Sequence, residues 1–191
     1  MKPRFSIKPT LVMVFLAGAT IVAGRTWPVA QADVRVTCPM TVGGSFDVKT
    51  TALTGSVTSS ATRSGGVDGS FVVDLRTLDS GISVRNEHLR GTYLEVDKAP
   101  GYDKAVLSDI DLKGVNPEAP DGKGSFTGSL ALHGVKSPVS GPVEVRKSGA
   151  GLQVKASFPV NLSDYHIAEP RYMGIGVKNT VHVDVVFTVA Q

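Results

Sequence analysis

The chain has 191 residues, with 20 Lys and Arg against 17 Asp and Glu, and a single cysteine. Four of the basic residues, Lys2, Arg4, Lys8 and Arg25, fall in the first 32 positions, where no acidic residue occurs, so the remainder carries 16 basic against 17 acidic groups. That balance lacks the positive footprint of a nucleic-acid binder, the lone Cys38 excludes an intramolecular disulfide, and the 159 residues after position 32 are the size of one domain with a sizeable core.

The first elements in chain order are those of an export signal. Lys2, Arg4 and Lys8 form a basic start, Leu11 to Gly24 is an apolar run, and Ala30-Gln31-Ala32 presents small residues of the kind a signal peptidase reads. The expected division is a signal peptide over 1–32, cleaved after Ala32, and one domain over 33–191, placing the mature protein in the periplasm or outside the cell. The alternative is an uncleaved anchor. Against it, the apolar run is shorter than the ~20 residues a membrane helix needs, and Arg25 interrupts it.

From Asp33 onward the pattern has a period of two. Short strands are expected around Val34 to Cys38, Ser45 to Lys49 and Leu53 to Thr58, with Cys38, Phe46 and Val48 facing inward. Phe71, Val73 and Leu75 share the next inward face. Val84 to Leu94 reads as the one short helix, and Val106 to Leu112 returns to strand. The later strands are longer and cleaner. Phe126 and Leu130 mark one inward face, and Val143 and Val145 a second. Val154, Phe158 and Val160 mark a third, and Val183, Val185 and Phe187 the last. Polar partners such as Gln153, Lys155, His182 and Asp184 alternate with them. Strands without intervening helices, joined by Gly, Ser and Asp clusters, argue an all-β antiparallel barrel, whose closure removes exposed edges. These inward residues are the candidate lumen. Phase alone leaves open whether the lumen is a cavity or a filled core, because Val and Leu serve both.

Two segments carry a family resemblance: Thr77 to Val96, TLDSGISVRNEHLRGTYLEV, and Ser129 to Val145, SLALHGVKSPVSGPVEV. They resemble the YceI-like family of secreted lipid-binding proteins in composition, order and spacing. The resemblance implies a lipocalin-like barrel that shelters a polyisoprenoid or prenylated quinone, with no cofactor and only transient membrane contact for lipid exchange; a homodimer stays open. It also implies that Arg85, His88 and Arg90, on a short helix near one end of the barrel, either meet the ligand's polar terminus at the mouth or, with Asp79 and Glu87, brace a salt-bridged cap. Departures from the family pattern are Asn86 in place of its usual Asp, His166 in place of a Gly, and a segment between Lys49 and Leu53 shorter by on the order of ten residues. The alternative function is a ligand-free structural or interaction barrel at the cell envelope.

Catalysis and metal binding find little support. His88, His133, His166 and His182 show no paired ligand spacing, and H-E-x-x-H, C-x-x-C and G-x-S-x-G are absent from the chain. His133, opening the Gly134 turn, reads as a surface or capping residue. Cys38, on an inward face with no activating partner, reads as a small apolar group rather than a reactive thiol.

Overall fold

The computed structural model describes residues 26–60, 66–116, 121–149, 151–172 and 174–190. In chain order its strands are β1 (Thr26–Pro39), β2 (Ser45–Thr50), β3 (Leu53–Ser59), β4 (Gly66–Asp74), β5 (Lys104–Lys113), β6 (Gly122–Leu132), β7 (Val135–Ser148), β8 (Gly151–Asn161), β9 (Arg171–Tyr172), β10 (Ile175–Gly176) and β11 (Thr180–Ala190). The helix α1 (Ser83–His88) runs into a π-helical turn over Leu89–Tyr93. All pairings are antiparallel, and β1, β3, β4, β5, β6, β7, β8 and β11 close into an eight-stranded barrel through the β11–β1 ladder. The expected fold class is therefore the one observed.

β2 and β3 behave as one strand. Both pair with β1 in one register, Pro39↔Ser45 to Val34↔Thr50 and then Pro28↔Ser56 to Thr26↔Thr58, with the ladder interrupted between the two runs. At the break Thr50 Oγ1 accepts from the Ala52 amide at 3.0 Å and meets Thr77 Oγ1 at 2.5 Å. The shortened segment thus costs the barrel no strand. Beside β2, Asp79 exchanges backbone hydrogen bonds with Lys49 at 2.8 and 2.9 Å, so the chain after β4 covers that strand's outer edge.

The barrel has two unlike ends. Asp74 to Lys104, carrying α1, lies at one end together with the 3-10 turn Leu162–Tyr165 and the β9–β10 hairpin. The start of β1 and the end of β11 lie at the other, called here the far end. Inside, Phe126 and Phe158 meet edge-on with ring centroids 5.5 Å apart, and Phe71 and Phe187 lie tilted at 4.9 Å.

The joint between β7 and β8 is incomplete. β7 pairs with β6 from Val135 to Val145, but its ladder with β8 covers only Val143 to Ser148. Pro138 and Pro142 on β7 and Pro159 on β8 have no amide to offer a neighbour. At the joint a Cβ on Gly141 would lie 1.9 Å from the Ser157 carbonyl oxygen, so only glycine permits this approach. Toward the helix-capped end the joint opens into a hollow of about 170 Å³ lined by Pro138, Pro159, Asp164 and Tyr165 among others. Tyr165, 1% exposed, plugs it from within, and its hydroxyl has no partner.

The expected domain start at Asp33 falls inside β1. Thr26, Trp27 and Pro28 make the whole β1–β3 ladder, and Val29, Gln31 and Ala32 pair with β11. A chain cut after Ala32 would lose the contacts that join β1 to β3 and would discard the buried Trp27. The described part of β1 thus includes Thr26 to Ala32, which the expected cleavage would remove. Residues 1–25, and with them the expected signal sequence proper, lie outside the described residues.

Candidate functional site

The barrel wall lines an apolar cavity of about 90 Å³ near the far end. Five of the residues expected in the lumen line it: Phe71, Val143, Val145, Val154 and Phe187. Trp27 of β1, Val57 of β3, Val67 of β4, and Ile110 and Leu112 of β5 line it too, with Leu152 and Val189 completing the wall. Wall residues from every barrel strand except β6 converge because each strand's inward phase reaches this level of the barrel.

The other expected lumen residues pack rather than line. Val48, Leu75, Phe126, Leu130, Phe158 and Val160 are buried in the core, and Val73, Val183 and Val185 are half-buried against it. The helix-capped half of the lumen is thus filled by side chains. Phe46 is a separate case: it sits under the Arg85 guanidinium, 4.2 Å from ring centroid to Cζ, on the stretch of β2 that passes beyond β3.

Arg85, His88 and Arg90 stand at the helix-capped end and do not line the cavity. Arg85 covers Phe46, and His88 is exposed. Arg90 donates through Nη1 to the Arg76 carbonyl at 2.9 Å and through Nε to the Asn86 carbonyl at 3.3 Å, which ties α1 to the turn after β4. The hub of this cap is Asn86, 8% exposed. Its Nδ2 donates to Asp79 Oδ1 at 2.7 Å, while its Oδ1 accepts from the Ser80 amide at 2.8 Å and the Ser80 hydroxyl at 2.7 Å. The bond from Asn86, followed by the one from the Gly81 amide, holds the Asp79 carboxyl below the usual carboxylate range. An amide at position 86, where the family pattern has Asp, therefore supplies the donor that Asp79 needs.

His133 departs from its sequence reading. It is buried, 7% exposed, with Nδ1 at 2.9 Å from the Tyr165 carbonyl and Nε2 at 2.9 Å from Glu95 Oε2. Tyr102 lies against it with ring centroids 4.6 Å apart. Glu95 also accepts from Lys98 Nζ at 2.8 Å, and that bond is the main cause of its lowered carboxyl pKa. Here His133 ties the loop before β5 to the turn after β8, closing the helix-capped end. His182, by contrast, faces out as expected.

Cys38 is buried, as its phase predicts. Burial pushes its thiol up to about 11, with Asp47 adding to the rise and Arg85 opposing it, so it is a poor nucleophile. Among the described residues, no group of three or more His, Cys, Asp or Glu side chains is placed to hold a metal ion.

Trp27 was missed in the sequence because it lies within the segment assigned to the export signal. The signal that could have found it is obscured by a bulge: the β1–β11 register shifts between Val29 and Gln31, so Trp27 reads out of phase with Val34 and Cys38 although all three face inward.

With this geometry in hand, comparison with known proteins is specific. The chain matches the model of the YceI-like domain over residues 27–189. It is similar to a polyisoprenoid binding domain from Saccharophagus degradans implicated in plant cell wall breakdown, at 18% identity and a TM-score of 0.66, covering 88% of this chain and 99% of that one. It is also similar to Burkholderia cenocepacia BcnA, at 17% identity and a TM-score of 0.62, covering 83% and 96% respectively. At these identities the likeness is one of fold. No curated protein matches the chain.

Proposed function

The chain belongs to the YceI-like family, and from that premise we propose that it binds an apolar lipid of polyisoprenoid type inside its barrel and carries it outside the cytoplasm, in the periplasm or as a secreted protein. The observation that carries the reading is the cavity at the far end, whose walls are apolar and continuous with the barrel core. A protein interior is normally packed to the density of an organic crystal, and a cavity lined by Val, Leu, Ile and Phe is not a comfortable place for water. Each prenyl unit buried there is worth roughly 4 kcal/mol gross at ~0.8 kcal/mol per carbon, enough for two or three units to offset the cost of association. The named ligand class of the Saccharophagus degradans domain supports the same choice. Export is supported by the basic start and apolar run ahead of Arg25.

The size of the cavity favours a second reading, a ligand-free structural barrel. About 90 Å³ is less than the ~150 Å³ of a cavity known to take one benzene ring, so the wall must yield before a prenyl chain enters. Mass spectrometry of an organic extract from protein purified out of an envelope fraction separates the two. A stoichiometric prenyl lipid is expected; extracts that repeatedly hold none, together with no uptake of farnesylbenzene by the purified protein, would leave the structural barrel standing.

A further inference from the structure

Val135 to Pro142 of β7 and Ser157 to Asn161 of β8 have no ladder between them. The hollow of about 170 Å³ at this place lies within the thickness of the wall, because its lining alternates between the two faces: Pro138, Ser140, Pro159 and Asn161 are exposed, whereas Val139 and Val160 are buried. Tyr165 closes it on the inner side. Its hydroxyl is shut off from solvent and has no hydrogen-bond partner among the described residues, so the closed position carries the cost of an orphaned polar group. The backbone under the ring is pinned: the Tyr165 carbonyl lies 2.9 Å from His133 Nδ1, and the Leu162 and Ser163 amides donate to the Asn179 carbonyl and Oδ1 at 2.8 and 2.9 Å. Movement at this point therefore falls to the side chain. The hollow has room for it, since a cavity of ~150 Å³ accepts a benzene ring.

We propose that the unladdered stretch between β7 and β8 is a lateral entrance through which an apolar ligand passes into the barrel, and that Tyr165 is its gate. The ring turns outward into the hollow, the hydroxyl gains the hydrogen bonds that the closed position denies it, and the place it leaves joins the barrel core. This rests on the lipid-binding reading and adds a route to it. No backbone bond has to break for the passage, because the two strands are unpaired here and Pro138, Pro142 and Pro159 carry no amide. Beside the far-end cavity the same joint is closed, laddered through Val143↔Ala156 and Val145↔Val154. The outer rim is polar at Ser140, Asn161 and Asp164, so it stays wetted while the gate is shut and the apolar route begins behind Tyr165.

The test follows uptake of farnesyl anthranilate by the delipidated protein in stopped flow, read from the rise of its emission in apolar surroundings. In a Cys38→Ala background, Ser140→Cys places an exposed thiol on the rim, and Thr54→Cys places one on β3 across the barrel; each is labelled with N-adamantylmaleimide. The label at position 140 is expected to slow uptake severalfold and the label at position 54 to leave it unchanged, with the equilibrium affinity the same in both, since an entrance governs rate and not affinity. Tyr165→Phe keeps the ring and removes the orphaned hydroxyl, so it should raise Tm and slow uptake about tenfold, the factor that one such group is worth. Labels that slow uptake equally, or neither of which slows it, would overturn the entrance. Uptake by Tyr165→Phe at the parent's rate would overturn the gate. An unlabelled parent that takes up no probe overturns the lipid-binding reading and this inference with it.

Discussion

Replacing Val154 with phenylalanine pushes a ring into the cavity and asks whether the space is usable. Val154 lines it from β8, paired with Val145 on one side and Phe187 on the other, both also in the wall. The substitution adds roughly four carbons, worth about 3 kcal/mol if they are buried at ~0.8 kcal/mol each. Overpacking strain takes back ~1–3 kcal/mol. With about 90 Å³ open beside the site, the expected net effect on the lipid-free protein runs from nothing to a gain of ~2 kcal/mol, a rise of up to about 6 °C in Tm for a domain of this size. Ala156→Phe is the control. It lies two residues on, on the same face, packed against the core but outside the cavity wall, and it should lose stability by ~1–3 kcal/mol or more. Calorimetric melts of both delipidated variants give the comparison, and extraction of each gives lipid occupancy, which should fall in Val154→Phe. If Val154→Phe melts as far below the parent as Ala156→Phe does, the open space is not available to a side chain, and the argument that it is available to a lipid falls as well.

Four further outcomes follow from the geometry. Asn86→Asp sets a second carboxylate against Asp79 at a site where the amide now donates at 2.7 Å; urea melts should show a loss of ~1–3 kcal/mol at neutral pH, shrinking as the pH falls and one carboxyl takes a proton. Cys38 should resist a thiol reagent in the native protein and react once unfolded. Because its folded pKa is raised to about 11, its contribution to stability is intact below the unfolded value near ~8.5 and is lost as the pH rises through 11, so Cys38→Ala should flatten that part of an alkaline melt series. Glu95 is lowered by its bond from Lys98, so its stabilising effect is present above the unfolded pKa and lost as the pH falls through the folded one; Lys98→Gln should reduce the acid slope of a pH series of urea midpoints. Finally, intact mass of exported protein should give an N-terminus upstream of Thr26, and a chain beginning at Asp33 that still melts cooperatively would refute the role assigned to the first turns of β1.

What the sequence makes legible depends on how regular each element is. β8 alternates for eleven residues and β11 does so with one exception, Val186, so Phe158, Val160, Val183 and Phe187 are placed on the inward face by phase alone. β1 is harder, because its bulge reverses the phase midway and the small residues Ala30 and Ala32 that make the edge of the bulge also satisfy a cleavage rule. Phase reports which face a residue takes but not how far along the barrel axis the space lies, so Leu130 and Val143 look alike in sequence although only Val143 reaches the cavity. His133 is the opposite failure. Its burial is produced by Glu95, Tyr102 and Tyr165, residues 31 to 38 positions away in sequence, and no local pattern announces such a meeting.

The incomplete joint between β7 and β8 bears on how a tight barrel could admit a long molecule at all. In a ring of strands bonded at every joint, circumference is set by strand number and stagger, and swelling requires bonds to break. Here one joint is bonded along only part of its length, from Val143 to Ser148, and elsewhere it is bordered by prolines with no amide to lose. Toward the helix-capped end the wall is closer to a collar with an unfastened clasp than to a hoop. Its diameter there is held by side-chain packing around Tyr165, not by the backbone ladder, and packing yields in small increments where a ladder fails all at once.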